Sequence, residues 1–87
     1  MFYYVYILQS QKNKSLYIGY TTNLIKRLNQ HNKGKSQATK PYLPYKLIFY
    51  EAFLNRIDAK KREIYLKSGY GRRSITSMLN RYLKDTS

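Results

Sequence analysis

A chain of 87 residues has room for one hydrophobic core and not two, so a single domain over residues 1–87 is expected. Its 17 Lys plus Arg face four Asp plus Glu, a formal charge of +13 that repels itself unless a polyanion neutralises it. Nucleic acid is the commonest such partner, with an acidic substrate or an anionic membrane surface as the weaker alternatives. With no cysteine there is no disulfide framework, thiolate metal site or cysteine nucleophile, and the cytoplasm is the expected compartment.

Phe2 to Leu8 is a short run of aromatic and β-branched residues that reads as a buried strand. It lacks a basic leader and is far shorter than the roughly 20 residues of a bilayer span, so neither a signal peptide nor a transmembrane helix is expected. Strand alternation puts Tyr4 and Tyr6 on one face and Tyr3 on the other. Gln9 to Ser15 is then a turn, and Leu16 to Tyr20 a second strand that closes an antiparallel hairpin, with Gly19 at a bend or a close backbone approach. Thr21, Thr22 and Asn23 are N-cap residues for a helix over Leu24 to about Asn32.

Lys33 to Pro44, with Gly34, Pro41 and Pro44, has no usable periodicity and is expected to be a loop. Lys46 to Phe53 forms a third strand, Asn55 a turn or cap, and Ile57 to Lys67 a helix ended by Gly69 and Gly71. A last helix from about Ser74 to Lys84 aligns Ile75, Met78, Leu79 and Tyr82 on a single packing face. The order ββαβαα specifies an α/β (α+β) fold, one small three-stranded, mostly antiparallel sheet flanked by helices.

Elimination removes most chemistries. There is no cysteine pair or histidine pair for structural zinc, the four scattered glycines spell no phosphate loop, and the single histidine has no serine elbow to serve. On the first helix Arg27 and His31 lie one turn apart beside the Leu24 and Leu28 stripe, where a solvent-reaching phosphate-binding pair would sit. The plainer alternative is an arginine over the core edge next to a surface histidine. Glu63 shares a helical face with Ala59 and Leu66. It either pairs with Lys60 or Lys67 or acts as a lone hard-oxygen ligand for a divalent ion that keeps most of its waters. Tyr3, Tyr4, Tyr6, Tyr17 and Tyr20 crowd the predicted hairpin, and cross-strand packing accounts for several of them.

Tyr4-Val5-Tyr6, ten intervening residues, Tyr17-Ile18-Gly19, then Arg27, His31 and Glu63 form a pattern carried by LYIGYTTNLIKRLNQHN and EAFLNRIDAKKREIYLKSG. From Tyr4 to about Arg73 it resembles the GIY-YIG nuclease superfamily, in the compact single-domain branch related to the amino-terminal nuclease domain of the excision-repair protein UvrC. The resemblance implies a metal-dependent endonuclease that hydrolyses DNA phosphodiesters to 5′-phosphate and 3′-hydroxyl ends. It makes Tyr6, Tyr17, Arg27 and His31 catalytic positions and Glu63 the ligand of one Mg²⁺ or Mn²⁺. The chain departs from the pattern at Tyr4, where the family has glycine, and at Tyr20, where some relatives have lysine. Asn80 is spaced too far from Glu63 to match a late asparagine that others carry.

The remaining basic residues, Lys33, Lys35, Lys40 and Lys46 near the loop and Lys60, Lys61, Lys67, Arg72 and Arg73 near the second helix, are expected to hold backbone phosphates without reading sequence. A solvated basic face is the alternative for them. Nothing resembles a recognition helix, so specificity is expected to be for nucleic-acid structure or to come from a targeting partner protein. The rival function is a non-catalytic nucleic-acid-binding module on the same scaffold.

Overall fold

The computed structural model describes residues 1–86, and Ser87 lies outside them. Its elements are β1 (Tyr3–Ser10), β2 (Leu16–Thr21), α1 (Leu24–Asn32), a 3-10 turn (Lys40–Tyr42), β3 (Tyr45–Phe53), α2 (Arg56–Lys67), α3 (Gly69–Met78) and α4 (Asn80–Thr86). The order ββαβαα is therefore present, with the last helical stretch broken at Leu79 into α3 and α4. The three strands form one antiparallel sheet in the order β2-β1-β3.

β1 is the central strand and from Val5 to Ser10 is covered on both faces, which explains why it reads as a continuous apolar run and not as an alternating one. Val5 and Ile7 face α2 and α3, where they pack with Ile18, Ala59, Leu66 and Ile75. Tyr6 and Leu8 face the other way, toward α1, in a second cluster with Tyr45, Tyr17, Leu24 and Leu28. The sheet thus separates two cores, and the expected alternation of Tyr3 against Tyr4 and Tyr6 holds.

The expected turn at Gln9 to Ser15 is shorter than its polarity suggests, because β1 runs on through Gln9 and Ser10 and both are buried. They are tolerated inside because each polar group finds a partner. The Ser10 hydroxyl donates to the Tyr42 carbonyl at 2.7 Å and accepts from the Lys12 and Asn13 amides, each at 3.1 Å. Gln9 donates to the Lys14 carbonyl at 3.3 Å and accepts from the Tyr82 hydroxyl at 2.8 Å.

Two expectations at the C-terminal end need correction. Gly69 and Gly71 do not end a helix but open α3, after a single residue, Ser68, that caps both neighbours. Gly71 is buried, and a side chain there would overlap the Tyr65 carbonyl and the Leu66 Cα, so glycine is what lets α3 turn back against the end of α2. The single packing stripe also fails at Met78. Ile75 is buried and Leu79 packs against the core, but Met78 is exposed beside Arg62, whose guanidinium is itself fixed to Glu51 at 2.7 and 3.3 Å.

Side chains cap the two helices that matter for the site. Asn23 accepts from the Lys26 amide at 3.1 Å at the start of α1, and Asn55 accepts from the Ile57 amide at 2.8 Å at the start of α2. At the far end of α1, Asn32 exchanges hydrogen bonds with the Tyr45 backbone at 2.8 and 3.1 Å, tying the helix to β3. Among the described residues no helix is long and apolar enough to cross a membrane.

Candidate active site

The register of the hairpin places Tyr6 directly opposite Gly19. A Cβ at position 19 would collide with Cζ and the hydroxyl of Tyr6, so the missing side chain is what lets the phenol lie across β2. This is the close approach expected for Gly19. Tyr17, paired with Leu8, projects from the same face, and its ring centroid lies 6.4 Å from that of Tyr6.

α1 brings two more groups to this point. The His31 ring meets Tyr17 edge-on at 5.0 Å and Tyr6 at 5.9 Å. Its Nε2 lies 2.9 Å from the Tyr6 hydroxyl and its Nδ1 2.8 Å from the Thr39 hydroxyl. Tyr6 is 2% exposed, and His31 and Thr39 are fully buried. The expectation of a solvent-reaching Arg27 and His31 pair is therefore corrected: His31 is a core residue beneath the tyrosines. An imidazole is stable there because both ring nitrogens are satisfied by hydroxyls that can donate or accept.

Burial, reinforced by the Arg27 charge, lowers the His31 pKa to about 4, so the ring is neutral at neutral pH. A neutral ring carries one N–H. If it is on Nδ1, it donates to Thr39 and Nε2 accepts the Tyr6 proton; if it is on Nε2, both bonds reverse. The Tyr6 phenol is raised above its ordinary value by burial, which the adjacent Arg27 opposes.

Arg27 occupies the border between this buried chain and solvent. Its Nη1 donates to Gln30 Oε1 at 3.2 Å, and its closeness to Tyr6, and secondarily to Tyr17, strengthens its hold on its own proton. Tyr6, Tyr17, Arg27 and His31 thus form one cluster drawn from β1, β2 and α1.

Glu63 comes from α2, on the opposite layer of the sheet. Its contacts are with lysines: Lys67 Nζ at 3.1 Å from Oε2 and Lys60 Nζ at 3.9 Å from Oε1. The side chain is only 14% exposed, and its charge is felt at Tyr6 as a small upward influence on the phenol. Among the described residues no group of three or more His, Cys, Asp or Glu could hold a metal ion. Lys60 also lies over the Tyr20 ring, its ammonium 4.1 Å from the centroid.

The basic residues divide into two groups. Lys33 and Lys35 line a groove of about 600 Å³ along α1, together with Lys26, Asn29 and Gln30. Lys40 is exposed on the 3-10 turn, and Lys46 lies 5.8 Å from the centroid of the Tyr82 ring. On the other layer, Lys60 and Lys67 hold Glu63, Lys61 and Arg72 are exposed, and Arg73 stacks over Tyr70 at 4.8 Å. Lys26 and Gln30 carried no expectation from the sequence, although they lie one helical turn apart on α1 and flank Arg27 in the chain. Neither did Thr39, for which the aperiodic loop gave no signal.

A family model for the GIY-YIG catalytic domain matches residues 2–78, and the chain belongs to the GIY-YIG family, a nuclease family, which implies nucleic acid as its partner. Among curated proteins it resembles UPF0213 proteins. One from Clostridium perfringens is 46% identical over 65 residues, covering 74% of this chain and 69% of the relative. The UPF0213 protein YsiG of Lactococcus lactis is 44% identical over 78 residues, covering 88% and 74%. The solution NMR structure of a UPF0213 protein from Bacillus halodurans is 32% identical, with a TM-score of 0.56 over 90% of this chain and 85% of that one.

Proposed function

We propose that the protein is a metal-dependent endonuclease that hydrolyses phosphodiester bonds in DNA. The observation that carries this reading is the convergence of two phenols and a guanidinium at one border of buried and solvated space, with a carboxylate close enough to influence Tyr6. Arg27 binds the scissile phosphate, and its planar guanidinium stabilises the negative charge that grows in the transition state. Tyr17, the less buried of the two phenols, orients the attacking water and takes its proton. Tyr6 is held in place by His31 and Thr39, and the adjacent Arg27 opposes the upward pull of burial on its phenol.

Glu63 is suited to hold one Mg²⁺ or Mn²⁺. It is a hard-oxygen ligand, largely withdrawn from solvent, and the two lysines that pair with it, Lys60 and Lys67, are surface side chains. When bound, such an ion supplies Lewis-acid stabilisation of the leaving 3′ oxygen. The same pairing favours a second reading, a non-catalytic binding module, because both Glu63 oxygens are already engaged by lysines.

The basic groove along α1 and the lysines and arginines of α2 and α3 hold the backbone of the substrate. Kinship of pattern with UvrC makes DNA repair the proposed setting, with the cytoplasm as its compartment. Specificity then comes from DNA structure or from a targeting partner protein. The test is single-turnover cleavage of labelled DNA and RNA, as duplex, nick, flap, branch and single strand, with Mg²⁺, Mn²⁺ or chelator. Wild type should cut only with metal, and Glu63→Gln and Arg27→Ala should each lose roughly a hundredfold or more while still binding. Cleavage by either variant at the wild-type rate refutes the assigned roles, and a wild type that cuts nothing in any metal leaves the binding module.

A further inference from the structure

α1 covers only part of the sheet face that carries the tyrosine cluster. Beyond Tyr6 this face continues through Tyr50, its partner on β3, and through Tyr4, two residues back along β1. The rings are contiguous: Tyr4 meets Tyr50 edge-on at 6.0 Å, and Phe2 lies 6.4 Å from Tyr4. Tyr50 is 52% exposed, Phe2 47%, and Ile25 on the adjoining helix 76%. Tyr4 and Tyr50, with Leu24, Ile25, Leu47 and Asn23, line a cleft of about 480 Å³, within the size range of small-ligand sites.

A second recess of about 360 Å³ adjoins it, lined by Thr21, Lys26, Arg27 and Gln30, and the two share Thr22 and Asn23. Neither is lined by a carboxylate. Glu51, next to Tyr50 along β3, pairs with Val5 on the other face and is neutralised by Arg62. An aromatic cleft thus opens beside a cationic one. The matching ligand has flat apolar faces linked at short range to an anion. Tyr4 and Tyr6 are two residues apart on one strand, about 7 Å, so both sites lie within reach of neighbouring parts of one nucleotide strand.

We propose that the Tyr4 and Tyr50 cleft is a base-binding subsite that holds an unstacked nucleobase of the strand whose phosphate lies at Arg27. The proposal rests on the nuclease reading above for the phosphate at Arg27, and it narrows the substrate to nucleic acid with an unpaired nucleotide beside the scissile bond. A base within a duplex hides both faces in the stack and has none to offer these rings; an unpaired base gains a stacking partner.

The experiment is a binding titration of the full chain in chelator, so that nothing is cut. The probes are a short single strand of thymidines, the same backbone with abasic sites, and a duplex of equal length. Tyr50→Leu and Tyr4→Leu keep apolar bulk and remove the ring; Tyr50→Phe keeps the ring. Both leucine variants should bind the thymidine strand about tenfold more weakly and leave the abasic strand and the duplex within twofold, and Tyr50→Phe should match wild type. The proposal is overturned if the leucine variants bind the thymidine strand within twofold of wild type, or lose affinity equally for all three probes. It is also overturned if sedimentation shows that Tyr50→Leu dissolves a dimer, which would make the cleft a contact between copies. Thermal melts confirm that each variant is folded. A chain that discriminates as expected but cuts nothing refutes the nuclease reading and leaves the subsite standing.

Discussion

Tyr6 and His31 meet through a hydrogen bond of 2.9 Å between the phenol oxygen and Nε2, in a place that solvent does not reach. The bond joins the middle of the central strand to the last turn of α1, and Thr39 closes the chain behind it from the loop. One buried line of three side chains therefore sets the position of the phenol.

Protonating His31 inside this line is unfavourable, so stability should depend on pH. The folded-state pKa is about 4 against 6.5 for the free side chain. Between those values the unfolded chain binds a proton that the folded chain does not. Stability should be fully present above pH 6.5 and fall as pH drops toward 4, by roughly 3 kcal/mol at the acid limit. Thermal melts across this range check it, with His31→Gln as the comparison. The variant should start less stable but show a shallower slope, and an equally steep slope would place the effect in other groups.

The two tyrosines should separate in their effects. Tyr6→Phe deprives a buried imidazole of its partner and should cost about 1–3 kcal/mol, which for a chain of this size lowers the melting temperature by several degrees. Tyr17 contributes ring contacts that phenylalanine keeps. Tyr17→Phe should therefore melt like wild type while losing cleavage. Melts and single-turnover rates on the same preparations decide it, and a Tyr17→Phe protein that cuts normally removes Tyr17 from the chemistry.

Gly19→Ala should damage the site through Tyr6. The added methyl has no room beside the phenol, and overpacking of this kind costs about 1–3 kcal/mol. If the cause is that contact, the same change in a Tyr6→Leu background should cost far less. A double-mutant cycle on stability measures the coupling, and additive costs would locate the strain elsewhere.

Binding of nucleic acid should weaken steeply with salt, because phosphate contacts release counterions. Lys26→Gln and Lys33→Gln, in the groove along α1, should each reduce the slope of log affinity against log salt by about 1. Affinities for one oligonucleotide over a salt series give the slope. Unchanged slopes would move the backbone path to α2 and α3.

The parts of the site that could be read in advance are those set by short-range periodicity. A period of two placed Tyr4 and Tyr6 together against Tyr3, and one helical turn put Arg27 and His31 on neighbouring positions of α1. What stayed hidden depends on partners far along the chain. His31 is buried because Thr39 reaches its second nitrogen, and nothing in a loop without pattern announces that residue. Gly71 begins a helix and does not end one because of how closely the Leu66 backbone approaches it. Gln9 and Ser10 extend β1 because Tyr82 and Tyr42 come back to satisfy them. Polarity alone marks a turn; polarity with a distant partner marks a strand.

β2 bears Tyr17 and Gly19, and it is also an outer strand of the sheet, with six residues that include neither a charged side chain nor proline. Such an edge lacks two of the usual guards against pairing with a copy of itself, charge and proline. The +13 charge supplies the guard at a distance, by keeping whole molecules apart. That protection is colloidal and depends on the medium: at about 1 M salt the screening length shrinks to ~3 Å, less than the spacing of two paired strands. Concentrated salt, or a polyanion that neutralises the surface, therefore lowers the barrier to edge-to-edge pairing between copies, and dilute buffer preserves it.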